Sequence, residues 1–183
     1  HNTIANLITV SNEYSLALMT SLTSSSNYLV VDSKAVASRL VTYLKENKLG
    51  RATFYPLDTM KPRNVYEEDL IKIKDNPSFI GILNNLVEYD PIYTNVISNL
   101  IGNVLVVKDI DSANEISKIL NNKYKIVTLD GQVVNVGGSI TGGDKIKTND
   151  TIEARHNLEE YKNKLNIIPQ DTTERTKALR GFK

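Results

Sequence analysis

An internal repeat constrains the fold of this 183-residue chain more than any other feature of its sequence. The two copies match at three places in the same order, with an offset that falls from 79 to 76 to 72 residues. Short loop deletions explain that drift, so the chain is predicted to contain a duplicated unit of about 75 residues. The matching segments are ANLITVSNEYSLAL (5–18) with NNLVEYDPIYTNVI (84–97), LVVDS (29–33) with LVVKD (105–109), and FYPLD (54–58) with IVTLD (126–130).

Each copy has the same order of predicted elements: a helix, a strand, an amphipathic helix and a second strand. Tyr14, Leu18 and Leu22 recur every four residues and predict the first helix, whose counterpart begins at Asp90-Pro91, an N-cap followed by a first-turn proline. We therefore predict an α+β fold of two pseudo-symmetric lobes, with small mixed sheets flanked by helices. The remaining predicted helices are 34–46 and 112–120, and the predicted strands are 29–31, 52–55, 104–107 and 125–129.

The segments outside the repeat are a connector and a C-terminal tail. The connector holds a predicted short helix near 66–74, and the tail has Leu158, Tyr161, Leu165 and Ile168 at alternating three- and four-residue spacing. That spacing suits a coiled-coil stub or a plain amphipathic helix, and the short stretch leaves both open. The predicted domains are 1–147 (lobe 1 about 1–58, connector about 59–83, lobe 2 about 84–147) and a helical coiled-coil stub and tail at 148–183.

Composition excludes several classes of protein. The net charge is +1, which predicts no strong polyelectrolyte partner. The absence of cysteine excludes disulfides and thiolate metal sites and favours an intracellular compartment. No apolar run approaches the roughly 20 residues of a membrane helix, so no membrane contact is expected. Residues 145–183 carry 9 Lys and Arg against 6 Asp and Glu, which fits a solvated helix face or a mild nucleic-acid patch.

Candidate catalytic residues are sparse. The two histidines, His1 and His156, lie at the terminus and on a charged segment, so no metal centre or cofactor is predicted. Ser139 has neither a neighbouring base nor a G-x-S-x-G elbow around it. Asp58 and Asp130 occupy matching positions of the repeat, where paired carboxylates serve acid–base chemistry or, more simply, cap turns.

The segment VNVGGSITGGD (134–144) places four glycines within seven positions. Gly138 and Gly143 have the separation of a phosphate-binding loop, but Asp144-Lys145 follows where Lys-Ser/Thr is required. The spacing of a dinucleotide fingerprint is absent as well. Two interpretations remain: a flexible linker, or a strand edge where glycines allow another backbone to come close, as in strand addition by a second chain.

Several motifs in order resemble the hinge domain of bacterial SMC (structural maintenance of chromosomes) proteins. The segment IVTLDGQVVNVGGSITGG (126–143) resembles the closing segment of that domain, and KENKLGRATFYPLD (45–58) resembles an earlier one. LVEYDPIY (86–93) and GNVLVV (102–107) are similar to its second half. The resemblance covers roughly 3–147; Val136 departs from it, because the family usually has proline there.

The resemblance implies a two-lobed domain that joins two coiled-coil arms, forms a homodimer around a central channel and binds DNA weakly without sequence preference. It implies a cytoplasmic, nucleoid-associated bacterial protein and no catalysis, because the ATPase activity of the family belongs to separate head domains. The alternative is a nucleotide- or small-ligand-binding α/β protein that uses the glycine-rich loop. The implied dimer-interface residues are Gly137, Gly138, Ser139, Thr141, Gly142 and Gly143, and the implied DNA-binding residues are Lys145, Lys147, Arg155, Lys162 and Lys164.

Overall fold

The computed structural model describes residues 2–143 and 158–163. The chain divides into two compact units, 1–146 and 147–183. The described part of the second unit is helical at 158–163, with Leu158 and Tyr161 more than half exposed. Leu165 and Ile168, the other members of the predicted coiled-coil stripe, lie outside the described residues.

The first unit is α+β, as predicted from the sequence. Its first half contains α1 (Ile4–Leu7), β1 (Thr9–Val10), α2 (Asn12–Leu22), β2 (Leu29–Val31), α3 (Lys34–Glu46) and β3 (Phe54–Pro56). Its second half contains α4 (Glu67–Ile73), β4 (Phe79–Ile82), β5 (Val87–Glu88), α5 (Thr94–Ile101), β6 (Val104–Val107), α6 (Ile110–Ile119), β7 (Lys125–Thr128), β8 (Val133–Val134) and β9 (Ile140–Thr141).

The repeat is visible in the backbone as two parallel strand–helix–strand units. β2 pairs with β3 and β6 pairs with β7, both in parallel, and α3 and α6 form the two crossovers. The registers are equivalent: Val31 lies opposite Pro56, and its counterpart Val107 lies opposite Thr128. Side-chain caps begin both crossover helices, since Ser33 accepts a hydrogen bond from Val36 N and Asp109 accepts one from Ser112 N.

A short antiparallel pair joins the two copies. Thr9 of β1 lies opposite Glu88 of β5, and the sequence alignment makes these two residues counterparts of each other. A residue that pairs with its own counterpart lies on a local two-fold axis. The strands β1 and β5 are therefore related by a local pseudo-two-fold axis that passes between them.

The lobes are joined by a helix of lobe 1 that packs on the sheet of lobe 2. α2 of the first copy packs on β7 of the second, and α2 also contacts α5. Lys125 at the start of β7 donates a hydrogen bond from Nζ to the Ser21 carbonyl oxygen near the end of α2, at 3.4 Å. Burial lowers the pKa of this half-buried lysine. The two lobes are consequently in direct contact through α2.

A buried carboxylate anchors α4 to lobe 2. Asp69 Oδ2 accepts hydrogen bonds from Lys123 Nζ and from the Tyr124 hydroxyl, both at 2.8 Å, and Asp69 Oδ1 accepts one from Lys72 Nζ at 2.9 Å. The Lys123 ammonium, together with Lys72 and Tyr124, holds the pKa of Asp69 well below its usual range. Lys123 Nζ also lies 4.2 Å from the centroid of the Tyr66 ring. Since Tyr66 immediately precedes α4, this cluster holds the start of α4 against the segment that follows α6.

The main sheets of the two lobes differ in size. Among the described residues, the lobe 1 sheet consists of β2 and β3, whereas the lobe 2 sheet has five strands in the order β4-β6-β7-β8-β9, and β1 and β5 form a separate two-stranded sheet. β4 lies within the segment predicted as a connector, where the sequence pattern did not indicate a strand. The larger sheet packs α6 against a core of fully buried side chains that includes Leu105, Val107, Ile116, Ile126 and Val134.

Candidate interaction edge

The glycine-rich segment forms a hairpin at one edge of the five-stranded sheet. β8 pairs antiparallel with β9, with Val134 opposite Ile140, and residues 135–139 form the loop between them. Asn135 N donates to Ser139 O at 2.7 Å and Gly138 N donates to Asn135 O at 2.9 Å, which closes the turn. β9 is the outermost strand, and both of its residues are exposed.

Two glycines in the loop have backbone conformations that other residues adopt only with strain. Gly137 and Gly138 have φ values of +85° and +93°, so the turn itself favours glycine. Gly137 N donates to Asn122 O at 2.9 Å, and a Cβ on Gly138 would lie 3.3 Å from the Asn122 side chain. The hairpin loop therefore rests on the turn that follows α6.

Gln132 organises the other end of the segment. Its Oε1 accepts a hydrogen bond from Gly143 N at 3.0 Å, and a Cβ on Gly142 would overlap this same oxygen. Gly143 has a φ of +119°, again unfavourable for other residues. The sequence analysis missed Gln132, because no local pattern links it to a backbone group eleven residues later.

Asn135 links the polar side chains of the hairpin. Its Nδ2 lies 3.3 Å from both the carbonyl oxygen and Oγ of Ser139, and 3.2 Å from Thr141 Oγ1. Ser139 and Thr141 are thus oriented by contacts within their own hairpin. Sequence reasoning missed Asn135 as well, although asparagine is common in turns, where its side chain bonds nearby groups.

The amide groups of this loop are largely occupied. Gly137 N, Gly138 N and Gly143 N all donate to acceptors of the same chain. A phosphate cradle requires such amides to point together at an empty site. The structure therefore gives no support to a nucleotide-binding loop.

A second open strand edge lies in lobe 1. Within the described residues, β3 pairs only with β2, while the other side of β2 is covered by Asn2 and Thr3. Val30 N donates to Asn2 O at 3.0 Å on that side. β3 ends in Pro56, a residue that is tolerated on edge strands. The first unit consequently presents one open strand edge in each lobe that can accept another chain, β9 in lobe 2 and β3 in lobe 1, while β4 forms the opposite edge of the larger sheet.

All six predicted interface residues fall on the β8–β9 hairpin or directly after it. Of the five predicted DNA-binding residues, only Lys162 is described, exposed on the helix at 158–163. Lys145, Lys147, Arg155 and Lys164 lie outside the described residues, as do both histidines.

The matched aspartates make local turn contacts. Asp58 Oδ1 accepts a hydrogen bond from Lys34 N at 2.9 Å, and Asp130 accepts one from Thr128 Oγ1. Among the described residues, no three His, Cys, Asp or Glu side chains are grouped to hold a metal ion. In the same part of the chain, no helix is long and apolar enough to span a membrane.

The fold and its two strand edges define an assembly domain, with no catalytic fold indicated. The family profile that describes the flexible hinge domain of SMC proteins matches residues 1–117. The chain belongs to the SMC flexible hinge domain family, which is distinct from the ATPase heads of SMC proteins.

Relatives and solved structures agree with this assignment. The chain is 38% identical over 170 residues to the chromosome partition protein Smc of Bacillus subtilis and 37% identical over 159 residues to that of Mesomycoplasma hyorhinis. These matches span 92% and 87% of this chain but only 14% and 16% of the relatives' length. An asymmetric dimer of the Geobacillus stearothermophilus SMC hinge domain is similar with a TM-score of 0.83 and 40% identity, over 93% of this chain and 68% of that one. The Pyrococcus furiosus SMC hinge domain is similar with a TM-score of 0.65 and 30% identity, over 82% of this chain and 78% of that one.

Proposed function

We propose that this chain is the homodimerisation hinge of a chromosome-partition SMC protein, joining two coiled-coil arms. The observation that carries the proposal is the pair of open strand edges, β9 and β3, one in each lobe of the repeat. The similarity to a hinge domain that crystallised as a dimer supports it. In the intact protein, which the relatives indicate is much longer, the hinge would act in the cytoplasm near the nucleoid.

The proposed contact places β9 of one copy beside β3 of the second. Unpaired N–H and C=O groups on both strands would then gain partners, which is the general basis of strand addition. The five-stranded sheet of one copy would continue into the two-stranded sheet of the other. A two-fold axis makes this contact twice, so two hairpins close a ring around a central channel. We also propose the domain boundaries predicted from the sequence, with lobe 2 ending near 147 and a helical coiled-coil stub and tail at 148–183.

The test is the double variant Gly142→Ala, Gly143→Ala. The first alanine displaces the Gln132 side chain and the second strains the backbone, so the edge beside β9 should lose its geometry. We expect the wild type to form a dimer and the variant to dissociate about tenfold or more readily. Sedimentation equilibrium across micromolar concentrations, with circular dichroism for folding, measures this.

Gly81→Ala is the matched control for the dimer experiment. Gly81 lies on β4, the opposite edge of the same sheet, and the nearest atom to a Cβ there would belong to the Leu86 side chain, at an ordinary contact distance of 3.6 Å. The control should dimerise like the wild type. A wild-type monomer at every concentration would refute dimerisation, and an unaffected double variant would move the interface away from β9.

We further propose that DNA binding is weak, sequence-independent and dependent on Lys145, Lys147, Arg155, Lys162 and Lys164. Binding of this kind rests on phosphate neutralisation and weakens as salt rises. Lys145→Ala with Lys147→Ala should weaken binding of a duplex, measured by fluorescence anisotropy, by about tenfold at low salt. Lys74→Ala with Lys118→Ala removes the same charge from exposed positions elsewhere. Equal losses for the two pairs would contradict a localised contact.

A further inference from the structure

The two crossover helices are counterparts in the repeat but differ in burial. In lobe 2, Ile116 is fully buried, and its neighbours on the same face of α6 are at most 2% exposed. In lobe 1, no residue of α3 is buried, and Val41 is 52% exposed. The counterpart pairs are Ala37 with Ala113, Leu40 with Ile116, Val41 with Ser117, and Leu44 with Leu120.

The cause of the difference is the strand next to β7. β8 packs against α6, and Val134 of β8 is 1% exposed within the same core cluster as Ile116 and Leu120. Lobe 1 has no described strand beside β3 in the corresponding place. The apolar face of α3 therefore has an uncovered flank where its counterpart in lobe 2 meets β8.

The open edge of lobe 2, β9, carries an apolar side chain that suits the uncovered flank of α3. Ile140 lies directly opposite Val134, and opposed residues of an antiparallel pair point to the same face of the sheet, here the α6 side. The Ile140 side chain is 57% exposed although it is apolar. Phe54 of β3 is the counterpart of Ile126, which lies in the α6 core. When β9 is placed beside β3, Ile140 can meet Phe54 on the α3 side.

We propose that Ile140 of a second copy completes the apolar core of lobe 1 by covering α3, so that dimerisation stabilises lobe 1 selectively. This proposal rests on the proposed dimer and names the side chain that supports it. We assign the covering side chain to a second copy because the β8–β9 hairpin of this same sequence already covers the equivalent helix, α6, in lobe 2. Lobe 2 already has its covering strand and gains no new core on association.

The first experiment is hydrogen exchange on the intact chain at concentrations below and above dimerisation. Amides of α3 should exchange about tenfold more slowly in the dimer, because opening α3 would then break the interface. Amides of α6 should change little. If α3 and α6 gain the same protection, or α3 gains none in a proven dimer, the proposal is overturned while the hinge function stands.

The second experiment compares Ile140→Ser with Ile92→Ser by sedimentation equilibrium. Ile92 has the same side chain, is 63% exposed and lies in the turn Pro91–Tyr93 before α5, on neither β9 nor β3. Ile140→Ser should weaken the dimer about tenfold and remove the added protection of α3, whereas Ile92→Ser should do neither. Equal effects of the two variants would overturn the proposal. A wild type that never dimerises would overturn the proposed function itself and this inference with it.

Discussion

Gly102→Ala is expected to destabilise the fold by about 3 kcal/mol or more, because the site has no room for a methyl group. A Cβ at Gly102 would overlap the Arg63 carbonyl oxygen as well as the carbonyl oxygen and Oγ of Ser98. These atoms cannot easily move apart. Arg63 N donates to Ser98 O at 3.2 Å and Ser98 Oγ donates to Arg63 O at 3.2 Å, which ties the connector to the end of α5.

Urea unfolding of Gly102→Ala beside Gly81→Ala measures this effect. Gly81 has ordinary van der Waals space around a Cβ, so its alanine variant should differ from the wild type by no more than about 1 kcal/mol. Both substitutions add the same methyl group, and only the local space differs. Similar midpoints for the two variants would show that the connector can move away from α5 at little cost.

Ile116→Ala is expected to lower the free energy of unfolding by about 3 kcal/mol, within the range for truncating a fully buried isoleucine. Ile116 is 0% exposed in a cluster with Leu105, Ile126 and Val134, and those neighbours are themselves buried on all sides. The cavity can therefore close only partly. The difference in free energy of unfolding between Ile116→Ala and the wild type should be the same at every protein concentration.

Leu40→Ala is the matched variant in lobe 1, since Leu40 is the repeat counterpart of Ile116. Leu40 is only half-buried, so in dilute samples its truncation should cost clearly less than that of Ile116. Chemical unfolding of both variants at the same low concentration makes the comparison. Equal losses would mean that α3 is as well packed in the single chain as α6.

Elements with strong local signals could be predicted from the sequence. The helix predicted from Tyr14, Leu18 and Leu22 and the helix predicted over 34–46 coincide with α2 and α3, because apolar spacing of this kind acts within a few residues. β1, β5 and β4 were not predicted. β1 and β5 have two residues each, and their pairing depends on contacts between distant parts of the chain that no window reveals.

The sequence predicted where the candidate strand edge lies but not why its glycines are needed. The glycine-rich segment does form a sheet edge, but three of its glycines have left-handed conformations that its own backbone requires. Gly142 is constrained by Gln132 of the same chain. These reasons arise from tertiary contacts with Asn122 and Gln132, which sequence spacing does not encode.

The pairing of Thr9 with Glu88 on the local two-fold axis bears on the origin of the chain. Two identical half-length proteins would meet through this strand in the same way, as the subunits of an isologous dimer do. Fusing them into one polypeptide makes that inner association intramolecular, so it no longer depends on concentration. Divergence could then give one half an extra hairpin and leave the other half without one. A symmetric ancestor would thereby gain two different and complementary surfaces on a single chain.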